Sequence, residues 1–390
     1  MLPITYSWYS STKNYILKDS VLFIVNKIYL DPGKNEGGVK NCTEDYISLL
    51  STRFNVIPFP VAYANSLFYR LRVKLGFNNY NDYAPKNYKN ALKKIIINNH
   101  IKYVFLNLSN TMTFALILKE EFNSNVKVIL CSHGNESGDL LHHCFRFEKG
   151  QNKLTRLKNS FLFAKTIEKE VKFRLRFLDM VLTVSEVEEG VEKWLGSKRV
   201  FIVPRIVKSE TTLWNPVDGR IGFLGDLSHA PNHDGIVSFC DALSLLDHHK
   251  IKLRLLGNPE NIGHALAQKY SFVEYCGFVP NERIHEEVGT WAIFLNLVFY
   301  YSRGVSTKLA KGLGWGIPVL TTPYGNRGYD IPHDMLTSAE TPSQMAQLTV
   351  KLIADSTELE KMRSNSIYLT SHFHDYTPIM NKLYPLLTCL

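Results

Sequence analysis

The chain has no unbroken apolar run of the roughly 18 residues that a membrane-crossing helix needs. Its first residues, MLPITYSWYSSTKNY, lack the charged-then-apolar order of a secretory signal. Both absences point to a soluble globular protein of the cytosol. The cysteines, Cys42, Cys131, Cys144, Cys240, Cys276 and Cys389, form no C-x-x-C pair, and several sit in apolar, strand-like runs. They are expected to be reduced core residues, neither disulfides nor ligands. His142 and His143 are adjacent but lack a third ligand at a recognisable spacing, so no metal site is expected. Internal repeats, low-complexity tails and nucleic-acid-binding modules are also missing, which removes the usual grounds for expecting a nucleic-acid partner.

What is present is ample core. With 390 residues, 45% hydrophobic and 12% aromatic, the chain exceeds one typical domain, and two are expected. The net charge of +9 is uneven: residues 1–205 hold 30 Lys+Arg against 18 Asp+Glu, and the remainder hold 15 against 18. A basic first half predicts an anionic neighbour such as a membrane surface or an acidic acceptor. Residues 66–99 are the richest mixture. There Arg70, Arg72, Lys74, Lys86, Lys89, Lys93 and Lys94 interleave with Phe68, Tyr69, Leu71, Phe77, Tyr80 and Tyr83. That composition suits an anionic bilayer surface, and it also occurs on ordinary amphipathic elements.

Apolar runs and helical segments alternate along the whole chain, which predicts parallel sheets with their working edges at the strand C-termini. The first run, Val21–Val25, leads into the loop Asp31–Gly38, whose Gly37 and Gly38 open a helix carrying Tyr46, Leu49 and Leu50. The loop lacks G-x-G-x-x-G spacing, so it is no dinucleotide fingerprint. Further strands are expected at Phe54–Phe59, Tyr103–Leu108 and Val126–Cys131. His133, at the end of the last of these and followed by Gly134, is the best-placed histidine, with Glu136 the nearest carboxylate. After the strand at Met180–Val184, Ser185 precedes Glu188 at capping-box spacing. Lys208–Gly219 reads as a linker, and the pattern restarts at Arg220. The predicted architecture is α/β, two Rossmann-like domains facing across a cleft: residues 1–207, then 208–374, with a C-terminal helix in 375–390 packing back on the first.

The stretch Arg303–Thr322, RGVSTKLAKGLGWGIPVLTT, organises the second half. Ser306 or Thr307 can cap a helix that Gly316 and Pro318 terminate. A helix start after glycine presents free N–H donors to an anion, and Lys308 stands in the first turn. With Phe223–Leu227, Pro231–Asn232, Leu255–Gly257 and Cys276–Pro280 upstream, in this order, the stretch resembles the C-terminal signature of retaining, family 4-like glycosyltransferases (glycosyl transferases group 1) of the GT-B fold. Weaker echoes cover the first half.

The resemblance implies a hexosyltransferase-like enzyme without cofactor, moving sugar from a nucleotide-sugar donor to a glycan or lipid-linked acceptor. Retention, metal independence and a place in cell-surface polysaccharide or glycoconjugate synthesis follow from the same likeness. Donor contacts are then expected from Gly225, Asp226, Asn232, Gly257, Phe278, Arg303, Gly304, Val305, Ser306, Thr307 and Lys311. Catalytic roles fall to His133 and Lys308, and the acceptor side of the cleft to Gly37 and Gly38. The chain departs from the family at Arg303 and Lys311, which stand where two glutamates usually contact donor sugar and ribose, and neither can accept a hydrogen bond. A non-catalytic GT-B subunit or binding partner and a nucleotide-sugar epimerase of the same fold therefore stay open as alternatives. The expected location is the cytoplasm, with peripheral attachment to the inner membrane face as an option.

Overall fold

The run Val21–Val25 is fully buried, and consecutive side chains go to different cores, as a central strand of a two-sided parallel sheet requires. Val21, Phe23 and Val25 face one layer of helices, and Leu22 and Ile24 the other. The computed structural model describes residues 18–31, 37–74, 80–141, 152–301, 303–372 and 375–390. His142, His143, Cys144, Phe77 and the segment 32–36 before Gly37 lie outside the described residues.

The first half runs β1 (Ser20–Asn26), α1 (Gly38–Ser51), β2 (Asn55–Val61), α2 (Leu67–Lys74), α3 (Lys89–Asn98), β3 (Tyr103–Asn107), α4 (Phe114–Phe122), β4 (Lys127–Cys131), α5 (Glu136–Leu141), α6 (Lys153–Arg176), β5 (Met180–Thr183), α7 (Glu186–Trp194) and β6 (Val200–Ile202). Its six strands pair in parallel in the order β2-β1-β3-β4-β5-β6. The second half runs β7 (Arg220–Leu224), α8 (Ala230–Leu243), β8 (Lys252–Leu256), α9 (Glu260–Lys269), β9 (Val273–Gly277), α10 (Asn281–Val288), β10 (Ile293–Leu295), α11 (Thr307–Gly314), β11 (Val319–Thr321), β12 (Thr337–Ser338), α12 (Pro342–Ile353) and α13 (Ser356–His372). Its sheet, also parallel, has the order β12-β11-β10-β7-β8-β9. A last helix, α14 (Thr377–Thr388), returns to the first sheet, where Met380, Leu383 and Leu387 share a core with Tyr46 and Leu49 of α1.

Both sheets reverse strand order beside their first strand, so β1, β3 and β4 of one and β7, β8 and β10 of the other end where crevices form. Cys42, Cys131 and Cys240 are free and buried as expected, whereas Cys276 is half-buried and Cys389 exposed. Cys389 follows the last turn of α14, outside any core. Tyr80 and Tyr83 are core residues, so the basic-aromatic face expected over residues 66–99 is narrower than the composition implies. Tyr80 donates to the buried carboxylate of Glu170, and the Tyr83 hydroxyl accepts from Asn26. Lys89 and Lys93 are tied to Glu121.

Candidate active site

The loop after β4 is built on a buried ionic frame. Arg174 of α6, with no exposed surface, donates through Nε and Nη2 to Glu192 of α7 at 2.5 and 2.8 Å and also to Asn135. Ser132 and Asn135 add bonds to Glu192 at 3.2 Å each, so the turn carrying His133 and Gly134 is anchored from below. His133 is buried, and its Nε2 meets Asn107 Oδ1 at 2.9 Å. Asn107 donates from its amide to Thr43, which leaves Oδ1 to accept and therefore places the His133 lone pair on Nδ1. Burial, with Arg205 and Arg303 nearby, pushes this imidazole down to about 3, so it is neutral throughout the physiological range. Nδ1 meets no donor among the described residues.

Across the cleft, α11 starts at Thr307 with Ser306 as its N-cap residue in an extended conformation. The Ser306 hydroxyl does not cap the helix, contrary to expectation: it donates to Asn296 Oδ1 at 2.9 Å, because β10 delivers that buried amide beside it. The main-chain N–H groups of Ser306, Thr307 and Lys308 consequently have no acceptor among the described residues. Lys308 bends toward the β7 edge, donating to Asn232 Oδ1 at 2.8 Å and passing over Phe223, with its stem against Gly225. Burial pulls its amine down to about 8, partly offset by Asp226.

Several expected donor contacts have structural work of their own. Asn232 is buried and donates to the Asp226 carbonyl, and the exposed Asp226 closes its own turn by accepting from Ser228. Gly257, at φ 134°, lets its chain cross Gly225, where a Cβ would lie 1.8 Å from the Gly225 carbonyl. Phe278 stands exposed beyond β9. Lys311 lines a cavity of about 380 Å³ between α1 and α11, together with Asn41, Glu44, Arg205, Lys208 and Thr307. Gly38 faces the Thr307 side chain at the start of α11, and a Cβ at Gly37 would meet nothing within 4 Å.

Arg303 and Gly304, both expected at the donor, have protein partners of their own. Arg303 pairs with Glu136 and, at 2.7 Å, with Asp139, both on α5. The Gly304 N–H is also occupied: it donates to Glu188 Oε1 at 2.8 Å, and the Gly304 carbonyl accepts from Arg327. Glu188 was expected to complete a capping box on α7. Ser185 does accept from the Glu188 N–H, but the carboxylate reaches over to the other half of the chain instead. Capping-box spacing hid that contact, and nothing in the sequence distinguishes the two uses. Arg327 and Tyr301 were missed because their partners are main-chain atoms and a residue more than a hundred positions away. Among the described residues no group of three His, Cys, Asp or Glu side chains is arranged to hold a metal ion.

The chain superimposes along nearly its whole length on several solved structures. Sucrose-phosphate synthase from Thermosynechococcus elongatus aligns with a TM-score of 0.67 at 16% identity, over 95% of this chain and 100% of that one. Anabaena HepE in complex with UDP and glucose aligns at 0.61 and 14%, over 96% and 100%. The lipopolysaccharide outer core galactosyltransferase WaaB, in its apo form, aligns at 0.58 and 12%, over 95% and 100%.

The fold is GT-B.

Residues 218–355 match the family model described as Glycosyl transferases group 1. No curated protein matches the chain by sequence. The match over residues 218–355 supports a glycosyltransferase. Lys308, Asn232 and the open N–H groups of α11 lie on the matched second half, while His133, Glu136 and Glu188 of the first half meet Arg303 and Gly304, just before α11.

Proposed function

We propose that this chain transfers a sugar from a nucleoside-diphosphate donor, held at the start of α11, to a glycan or lipid-linked acceptor held by the first half. The observation that carries the reading is the trio of open N–H groups at Ser306–Lys308 with the Lys308 amine at their side. Departure of a nucleoside diphosphate leaves negative charge on the phosphates. Donors already oriented toward it stabilise that charge without reorganising. Gly304 and Arg303 hold this loop in place and are not themselves phosphate ligands. Neutral His133 accepts through Nδ1 once the loop admits a sugar hydroxyl. Retention at the anomeric carbon, independence of metal and a role in cell-surface polysaccharide or glycoconjugate synthesis come with the family likeness and belong to this proposal.

The test is a thermal-shift panel of nucleoside diphosphates and their sugars. One nucleotide at about a hundred times its Kd should stabilise the protein by about 2.7 kcal/mol and raise Tm by several degrees. Failure of every nucleotide would sink the donor assignment and favour a non-catalytic GT-B subunit. Sugar release or isomerisation without any acceptor would instead favour an epimerase.

No described helix is long and apolar enough to cross a membrane. For a lipid-linked acceptor we propose docking through Leu67, Phe68 and Leu71 of α2 and Leu154, Leu157 and Phe161 of α6, all exposed and set among Arg70, Arg72, Lys153, Arg156 and Lys158. Apolar side chains ringed by cations suit an anionic interface, each cation contributing about 1 kcal/mol near the surface. The protein should then sediment with phosphatidylglycerol-containing vesicles and be released by about 0.5 M salt, where screening is nearly complete. Equal partition between anionic and neutral vesicles would rule this surface out.

A further inference from the structure

Glu188 has no exposed surface, yet it carries a carboxylate from α7 of the first half into the backbone of the second. Its Oε1 accepts from the Gly304 N–H at 2.8 Å and from the Tyr301 hydroxyl at 2.8 Å. Arg327 grips the other main-chain group of the same residue, donating from Nε and Nη2 to the Gly304 carbonyl at 3.0 and 2.6 Å. The turn that launches α11 is thus clamped between a carboxylate of one half and a guanidinium of the other. Glu188 Oε2 meets no donor among the described residues.

Burying a carboxylate with one oxygen unanswered is a costly way to hold a fold together, since a neutral acceptor would satisfy the same N–H at less desolvation. Nor is the charge needed on its own helix, where Ser185 already serves the α7 start. The arrangement makes sense for a turn whose geometry must depend on the two halves being together, because the Glu188 bonds exist only at this separation. Gly304 itself sits at φ 73°, which glycine adopts as readily as negative φ, so its neighbours' bonds decide which conformation it holds.

We propose that Glu188 is a positioning residue that acts across the cleft: it holds Tyr301 and Gly304 in place, and so aligns the N–H groups of α11, only when the halves close. This rests on the donor reading given under Proposed function. The nucleotide's own donors, Ser306–Lys308, stand on the second half and do not touch Glu188. Glu188 therefore governs turnover more than nucleotide affinity.

The experiment compares wild type, Glu188→Ala and Glu188→Gln by steady-state transfer, nucleoside-diphosphate titration and amide hydrogen exchange over residues 301–306. The alanine variant should lose about tenfold in kcat with the nucleotide Kd changed less than about threefold. Glutamine, whose Oε1 can still accept from Gly304, should restore most of kcat. Exchange at Gly304 should quicken about tenfold in the alanine variant and stay near wild type in the glutamine variant. Unchanged kcat and exchange in folded Glu188→Ala overturns the proposal. A Kd that rises in step with the loss of kcat/KM also overturns it, because Glu188 would then be holding the nucleotide site itself. Should wild type bind no nucleotide, the donor reading fails, and exchange alone decides: quickening in alanine but not glutamine upholds Glu188 as the holder of the turn, and equal exchange overturns it.

Discussion

Gly134→Ala is expected to lower transfer activity about a hundredfold while each half of the chain stays folded. Gly134 follows His133 at φ 103°, a conformation in which an L side chain costs about 1–2 kcal/mol. The added Cβ would stand 2.7 Å from Arg303 Cβ and 2.8 Å from the Gly304 nitrogen. Forcing one methyl into such a contact costs a further 1–3 kcal/mol or so, and a sum of about 3 kcal/mol corresponds to roughly a hundredfold. The clash lies between the two halves, so moving them apart relieves it more cheaply than rebuilding either core. Opening also breaks the Arg303 pairs with Glu136 and Asp139 and the Glu188 bond to Gly304. Small-angle scattering should show a larger radius of gyration for the variant, with circular dichroism unchanged. Wild-type activity and an unaltered scattering profile would show that the closed approach of Gly134 to Gly304 is not the working state.

The parts of this molecule readable in advance are those governed by short-range patterns. Val21–Val25 and Ile293–Leu295 are apolar runs between glycine- or polar-rich turns, and a buried parallel strand is the physical answer to that pattern. The start of α11 was legible because glycine, a small hydroxyl residue and a later Gly-Ile-Pro stop are local chemistry. Side-chain assignments failed where a residue had two possible uses and a distant partner chose between them. Ser306 could cap its helix or serve Asn296. Glu188 could close a capping box or cross to Gly304. Nothing near Arg303 in the sequence announces its ion pairs with Glu136 and Asp139. In each case the local option costs little, and the long-range option wins because burial makes an unanswered polar atom more expensive than an uncapped helix. Composition misled over residues 66–99 in the same way, since Tyr80 and Tyr83 spend their rings in the core and only part of the segment is left to face outward.

Replacing Lys308 by methionine should weaken nucleoside-diphosphate binding about thirtyfold at pH 7 and, more diagnostically, remove its pH dependence. A hydrogen bond to a charged group contributes about 1.5–3 kcal/mol, which sets that magnitude. Methionine keeps the length of the stem over Phe223 and beside Gly225 but carries no charge and no donor for Asn232. In the wild type, burial pulls the amine from its ordinary 10.5 to about 8. Below pH 8 the group is charged and ready for the anion. As pH rises through 8 the free protein loses the proton, whereas the complex, with a diphosphate beside the amine, keeps it. Binding therefore takes up a proton, and affinity should fall by up to about tenfold per pH unit above 8. Stability of the free protein moves the other way. The folded amine sits below its unfolded value, so the burden of burying its charge is present in full below pH 8 and is relieved as pH climbs toward 10.5. The methionine variant, free of that burden at every pH, should hold its largest stability advantage at pH 7 and lose it by pH 10. Titration calorimetry with the best nucleotide from the thermal panel, at pH 7, 8, 9 and 10, reads the affinity, and denaturant unfolding of the free proteins at the same pH values reads the stability. A wild-type affinity that stays flat across that range, or a methionine variant that binds as tightly as wild type, would take Lys308 out of the donor site and leave the N–H groups of α11 without their cation.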